Sequence, residues 1–307
     1  MGIDAQAFSK ELPKRFFGRA RGKDALRAIE RAAKAWSEAN EFGPLFRSEL
    51  QSERSLNCAF IPLADWIRFD LSNDGVAVGF RSSTAGPGYH AAVITMLDHL
   101  ANELHLSWDW GGVGEMCTDE TGYAVSRNIE DLQSEMLRFF QVLMESAAEH
   151  DQNGSSLCIP YGLGQDRDEV SCPLGPRPKD WPASVVSANE SELVAEAMGF
   201  FPWWNMERDH RFWENMLVGT LWQNAQWRAP VTEEEKNTIV AIAHMNEKLR
   251  AFELPLNPKI QLAVDELAQA VQSDEPPGPQ GIGYRRGFID HNPFPGWNIS
   301  LPGYLRE

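Results

Sequence analysis

The sequence predicts an α+β fold, a mainly antiparallel sheet with helices packed on it, followed by a helical region. Three observations predict it. Segments that alternate like strands are grouped before position 165, a hairpin signal joins two of them, and helical periodicity dominates residues 188–272. The 307 residues suffice for two ordinary domains or one large one.

Composition shifts divide the chain into five expected regions. The stretches CPLGPRPKDWP and EPPGPQG are rich in Pro and Gly and mark connections. We expect a basic amphipathic N-terminal helix in 1–45, an α+β region in 46–165, a Pro/Gly-rich connector in 166–187, a helical region in 188–274 and a Pro/Gly-rich tail with a final strand at WNISL in 275–307.

The first predicted helix covers residues 22–40. Its apolar residues repeat at intervals of three and four, and basic residues occupy the other side (Leu26, Ile29, Ala33 and Trp36 form the apolar stripe). An arm of this kind can lie on RNA, on a membrane surface or on the rest of its own chain. We expect it to dock on the chain, because the remainder is strongly acidic.

A hairpin is predicted at Ser72-Asn73-Asp74-Gly75. Asp-Gly favours a tight turn because both residues tolerate positive φ. In the preceding strand Ile67, Phe69 and Leu71 alternate with polar residues, which predicts one covered face. Residues 46–165 are expected to form one sheet, which includes LSWDW and SLCIPYGL as strands.

Two later helices have clear signals. Residues 128–149 keep an apolar stripe over their whole length (Ile129, Leu132, Met136, Phe139, Leu143 and Ala147). Thr232 and Glu235 have the spacing of a capping box, in which each side chain satisfies a backbone amide at the start of a helix.

Charge is unevenly distributed. Of 28 Lys and Arg and 44 Asp and Glu, residues 1–35 hold nine bases and four acids, so this stretch carries +5 and the remainder −21. A net charge of −16 repels nucleic acid and anionic membranes and favours basic partners. We therefore expect no nucleic-acid partner.

The remaining composition points to an ordinary cytoplasmic protein. No stretch has the length and hydrophobicity of a membrane span, and the first residues lack the apolar core of a secretory signal. The four cysteines, at 58, 117, 158 and 172, have no zinc-ligand spacing and are expected to be reduced and buried. We expect neither a metal nor a cofactor.

The most suggestive segment is the Gly-rich turn STAGPGYH, residues 83–90, between a predicted strand and a predicted helix. Such a junction directs backbone amides and the positive end of a helix outward, which suits an anion. The candidate ligand-binding or partner-binding residues are Arg81, Thr84, Gly86, Gly88, Tyr89 and His90. A purely structural turn uses the same residue types, with Ser83 or Thr84 as the helix cap.

His90 is the candidate base, because the start of a helix favours a neutral imidazole. A catalytic triad would require Ser83, His90 and a carboxylate to meet, and no G-x-S-x-G motif supports one. We assign no catalytic residue.

Two other segments are interpreted as structural. Asp119-Glu120 near Gly122 is predicted to be a solvated acidic turn, with cation binding or acid–base chemistry as the alternative. Five tryptophans between 203 and 227 are predicted to pack in a buried helical region, although such density is also typical of interface hot spots.

The leading hypothesis is an acidic cytoplasmic protein, not an enzyme, that binds a basic protein. Small bacterial inhibitors and immunity proteins use acidic surfaces to attract basic toxins. The alternative is an enzyme or a ligand-binding domain that uses STAGPGYH as an anion site.

Overall fold

The computed structural model describes residues 2–12, 14–15, 18–19, 22–111, 118–149, 155–157, 169–227, 229–272, 288–291 and 299–302. The fold is α+β, as predicted. The chain forms two compact units, the first from residues 1–139 with 204–206 and the second from 140–203 with 207–307.

The strands of the first unit are β1 (Asp4–Ser9), β2 (Lys14–Arg15), β3 (Gly18–Arg19), β4 (Arg47–Ser52), β5 (Ser55–Ala59), β6 (Ile67–Leu71) and β7 (Val76–Arg81). Its helices are α1 (Lys23–Ala39), α2 (Pro87–Leu104), α3 (Tyr123–Ser126) and the first part of α4 (Ile129–Glu149). Five of these strands form an antiparallel sheet in the order β1-β7-β6-β5-β4.

The predicted hairpin is confirmed. Leu71 of β6 pairs with Val76 of β7, and the Ser72 amide donates to the Gly75 carbonyl at 2.9 Å. The predicted register is also confirmed, because Ile67 and Phe69 are buried while Arg68 is exposed. Alternate burial along β1, β6 and β7 gives this part of the sheet one apolar face.

Helix α1 packs on the first unit, as expected. Leu26, Ile29 and Ala33 are completely buried and Trp36 is 7% exposed. The Trp36 ring meets those of Phe42 and Phe60 at 6.1 and 5.2 Å between centroids. The helix is therefore part of the folded core rather than a free arm.

The strand segments of the second unit are β8 (Ser155–Ser156), β9 (Glu169–Cys172), β10 (Gly175–Pro178), β11 (Phe288–His291) and β12 (Ile299–Pro302). The last of these overlaps the predicted WNISL strand, residues 297–301, and extends one residue past it. The helices, besides the rest of α4, are α5 (Trp181–Val186), α6 (Glu190–Phe200), α7 (His210–Gln223), α8 (Glu233–Arg250) and α9 (Pro258–Ala270). The capping box predicted at Thr232 and Glu235 is present at the start of α8.

The expectation of one sheet for residues 46–165 is wrong in two respects. The N-terminal strand β1 joins that sheet beside β7, and β8 belongs to a separate sheet with β9 and β10. The segment LSWDW contributes only an isolated bridge between Asp109 and Phe8 of β1. The greater part of the predicted strand SLCIPYGL lies outside the described residues.

Candidate functional site

The Gly-rich turn joins the end of β7 to the start of α2. The amides of Ala85 and Gly86 donate to the Ser82 carbonyl at 3.1 and 2.8 Å, which closes the turn. Gly86 has φ = 101°, a conformation that favours glycine, and Pro87 supplies a first helical residue that needs no amide partner. Local sequence therefore accounts for the sharp change of direction.

The six candidate residues lie in two different environments. Gly86, Gly88, Tyr89 and His90 are buried in the first unit. Arg81 is exposed, and its Nε donates to Asp4 Oδ1 at 2.8 Å. Thr84 is half-buried, and its hydroxyl makes no hydrogen bond among the described residues. Most of the turn thus faces the protein interior.

His90 is held by side chains from two distant segments. Its Nδ1 lies 2.9 Å from Ser82 Oγ, and its Nε2 lies 3.3 Å from both Asp119 Oδ1 and Thr121 Oγ1. The imidazole is completely buried, between the rings of Phe80 and Tyr123 at 5.1 and 6.1 Å. We call Ser82, His90, Asp119 and Thr121 the His90 cluster.

Asp119 anchors the cluster. One of its carboxylate oxygens accepts from the Thr121 amide and hydroxyl, at 2.9 and 2.7 Å, and the other accepts from the Ala124 amide at 2.7 Å. Burial acts to raise the pKa of Asp119, but the interactions with His90, Ala124 and Thr121 outweigh it and lower the pKa to about 2. Asp119 is therefore an ionised carboxylate at neutral pH.

The contacts of His90 form a chain of hydrogen bonds that runs from Ser82 through the imidazole to Asp119. With a neutral imidazole, Nε2–H donates to the Asp119 carboxylate and Nδ1 accepts from the Ser82 hydroxyl. Serine, histidine and aspartate follow one another in the same order in hydrolase triads, but there the serine contacts Nε2 and the carboxylate contacts Nδ1, so the two ring nitrogens have exchanged partners here. Here Ser82 and His90 are completely buried and the Asp119 side chain is 2% exposed. In this conformation the cluster connects parts of the fold and does not face solvent.

The cluster also secures the outer edge of β1. The Gln6 amide donates to the Thr118 carbonyl at 2.9 Å, and Ala5 forms a bridge with Asp119. On the other side of β1, the Ser82 amide donates to the Ile3 carbonyl at 3.0 Å. The His90 cluster thus joins β1, β7, α2 and the segment before α3.

The predicted solvated acidic turn is half wrong. Glu120 is exposed, and its Oε2 accepts from the Asp4 amide at 3.0 Å. The Asp119 side chain is buried, and its carboxylate accepts from the Thr121 amide just before α3 and from the Ala124 amide within it. Arg127, at the end of α3, pairs with Asp98 at 2.9 Å.

Tyr89 is a structural residue in this conformation. Its ring is completely buried beside Phe60 at 5.4 Å, and its hydroxyl donates to the Asp65 carbonyl at 3.2 Å. Burial raises the pKa of Tyr89 above its usual value. The phenol therefore stays protonated at neutral pH.

The tryptophan-rich segment is buried. Trp213 and Trp227 are at most 1% exposed, and Trp203, Trp204 and Trp222 are at most 8% exposed. Trp204 belongs to the first unit and the other four belong to the second, where the Trp222 Nε1 donates to the Cys172 carbonyl at 3.0 Å. The buried interpretation of all five tryptophans is confirmed.

Sequence reasoning considered Ser83 as the partner of His90, whereas the structure places Ser82 there. The signal was present in β7, where Val76, Val78 and Phe80 alternate toward the core. Extending that period of two makes Ser82 the next inward residue. Asp119 and Thr121 carried no local signal that linked them to His90.

Within the described ranges, no group of three or more His, Cys, Asp or Glu side chains is placed to hold a metal ion. None of the described helices is long and apolar enough to cross a membrane.

The chain matches no family model, and no curated protein or solved structure shows significant similarity to it. Function is therefore inferred from this chain's own residues.

Proposed function

We propose that this chain is a protein-binding protein whose partner is a basic protein, in the manner of an inhibitor or immunity protein that acts in the cytoplasm. The observation that carries the proposal is the net charge of −16, of which residues 36–307 carry −21. A surface of this sign accelerates encounter with a cationic partner and disfavours anionic ones.

Exposed carboxylates that lack internal partners support the proposal. Glu207, Glu234 and Glu247 are exposed, and their carboxylates make no hydrogen bond or ion pair among the described residues. By contrast, Arg68, Arg81 and Arg138 pair with acids of the chain itself. The acidic excess therefore remains available to an outside cation.

The burial of the Gly-rich turn supports the same proposal. An anion site at this turn needs backbone amides or cations directed toward solvent. Gly88 and His90 are instead buried, and Arg81 is paired with Asp4. A protein-binding function needs no change in any of these contacts.

The test is capture from the native host, with the products of neighbouring genes as first candidates, followed by charge substitution. We expect a basic protein to bind, and the triple change of Glu207, Glu234 and Glu247 to Lys to weaken affinity at least about tenfold. The same three residues changed to Gln provide the matched control and are expected to give a smaller loss. Undiminished affinity of the Lys variant contradicts the proposal.

A second candidate function, an enzyme or ligand-binding domain at STAGPGYH, has one specific observation in its favour. Ser82, His90 and Asp119 form a Ser-His-Asp chain with contacts of 2.9 and 3.3 Å, although the ring nitrogens that face the serine and the carboxylate are exchanged relative to a hydrolase triad. The test is labelling by a fluorophosphonate, with Ser82→Ala as the control. Stoichiometric labelling of Ser82 in the folded protein favours the enzyme, and absence of labelling favours the protein-binding function.

A further inference from the structure

Helix α1 carries a row of exposed basic residues on the side opposite its buried stripe. Lys23, Arg27, Arg31 and Lys34 are all exposed, and their spacing of four, four and three places them on one side of the helix. With a rise of 1.5 Å per residue, the row is about 16 Å long and has steps of about 5–6 Å. We call these four residues the α1 basic face.

The α1 basic face is poorly neutralised by the chain that carries it. Lys23, Arg27 and Arg31 make no ion pair among the described residues, and Lys34 lies 3.9 Å from Glu38. Elsewhere in the first unit, Arg68, Arg81 and Arg127 each contact a carboxylate at 2.7–2.9 Å. This contrast occurs in a chain with 44 acidic residues.

Helix stability does not explain this placement. Cations are favourable near the C-terminus of a helix and unfavourable near its N-terminus, where the backbone dipole is positive. Lys23 and Arg27 occupy the first turns of α1, where Asp24 is the acidic residue of the first turn, and the last turn has no basic residue. Gly22 at the N-cap supplies no side-chain hydrogen bond either. The positive end of the dipole therefore adds to the positive charge of the face.

The surroundings of the face favour a short acidic protein segment over other polyanions. Insertion into a membrane surface needs an apolar helix face, and Leu26, Ile29 and Trp36 are already buried. Single-stranded nucleic acid is bound with the help of exposed aromatic rings, and the exposed side of α1 has none.

We propose that the α1 basic face binds an acidic segment of a partner protein. Carboxylates placed four residues apart on a helix repeat every 6 Å or so, the same step as the basic side chains. Arginine recognises carboxylates through paired N–H donors, and Arg27 and Arg31 lie at the middle of the row. This surface has the opposite sign to the acidic surface invoked above, and the proposal is independent of that one.

The probe is a fluorescent helical peptide with Glu at every fourth position, measured by anisotropy in about 50 mM salt. The α1 variant changes Lys23, Arg27 and Arg31 to Glu. The matched control changes Arg211, Arg250 and Lys259, which are exposed in the second unit, to Glu and alters net charge by the same amount. Circular dichroism of both variants establishes that each is folded.

We expect the wild type and the control to bind the peptide, and the α1 variant to lose about tenfold or more in affinity. Equal affinity of the α1 variant and the wild type overturns the proposal. Equal loss in both variants also overturns it, because the effect then follows net charge. Tighter binding of a single-stranded oligonucleotide or of phosphatidylserine vesicles through the same three residues overturns it in favour of that ligand. None of these substitutions is one that tests the basic-partner proposal, so the two can fail separately.

Discussion

Replacing Asp119 by Asn tests whether the His90 cluster stabilises the first unit through a buried carboxylate. The variant keeps the shape of the side chain but exchanges one acceptor oxygen for an amide donor. The new NH₂ group then faces one of two sets of donors. These are the Ala124 amide, which lies 2.7 Å from one carboxylate oxygen in the wild type, and the Thr121 amide, which donates to the other. With the side chain 2% exposed, solvent does not replace the lost partner.

The expected loss follows from the number of donors left without an acceptor. Each unsatisfied buried polar group costs about 1–3 kcal/mol, so one or two such groups give about 1–6 kcal/mol. The assay is urea unfolding at pH 7, followed by circular dichroism. Glu120→Gln is the matched control, since Glu120 is an exposed neighbour, and we expect a change within about 0.5 kcal/mol.

The pH dependence gives an independent check. The pKa of Asp119 is lowered from 3.8 to about 2 in the folded protein, so its carboxylate stabilises the fold above pH 4. This contribution, about 2 kcal/mol, is lost as the pH falls from about 4 to 2. The gap between wild type and Asp119→Asn should therefore narrow over that interval. A variant within about 0.5 kcal/mol of wild type at pH 7 refutes the assigned role.

Three further predictions concern the fold. A Cβ at Gly75 would lie 1.9 Å from the Ser9 carbonyl oxygen, so Gly75→Ala should destabilise the protein by about 2 kcal/mol or more. Gly79→Ala is the control and should cost much less, because the nearest atom to its Cβ is 3.5 Å away. Equal melting temperatures of the two variants would contradict the packing described. Thr232→Ala should lower the free energy of unfolding by about 1 kcal/mol, with Thr232→Ser near wild type, and an equal loss in both would argue against the cap. Deleting residues 1–40 removes β1 and α1, so calorimetry should show loss of the transition of the first unit, and an unchanged thermogram would contradict their place in its core.

Local signals in the sequence predicted much of the fold. The hairpin at Gly75 and the cap at Thr232 each depend on residues within four positions of one another, and both are present. Helix α1 was predicted from the spacing of Leu26 and Ile29, because an amphipathic stripe records which side will be buried.

The strand β1 was not predicted, because it depends on pairing between distant segments. The inward residues of β1 include Ala5 and Ala7, which are too small to give a clear apolar alternation, although both are buried. The strand is stabilised by pairing with β7, whose partner residues lie 67 to 77 positions further along the chain. Chain-distant pairing of this kind leaves no trace in either segment alone.

At the candidate site, too, the local signal was informative and the contacts between distant segments could not be predicted. His90 was identified from its place at the start of a helix, and it does lie at the centre of a polar cluster. Its partner Thr121 lies 31 residues further along the chain, so their contact exists only in the folded protein. Burial could not be predicted at the turn either, since Gly, Ser and Thr serve buried and exposed turns equally.

The central claim, that exposed carboxylates carry the function, is tested most directly by the association rate constant with the captured basic partner as a function of salt. The Debye length falls from well over 10 Å at about 50 mM to about 4 Å at about 500 mM. We expect the rate constant to fall at least about tenfold over this range for the wild type and for Ser82→Ala alike, because Ser82 is buried. A rate constant that is insensitive to salt, together with turnover or ligand binding that Ser82→Ala abolishes, would contradict the claim and assign the function to the His90 cluster.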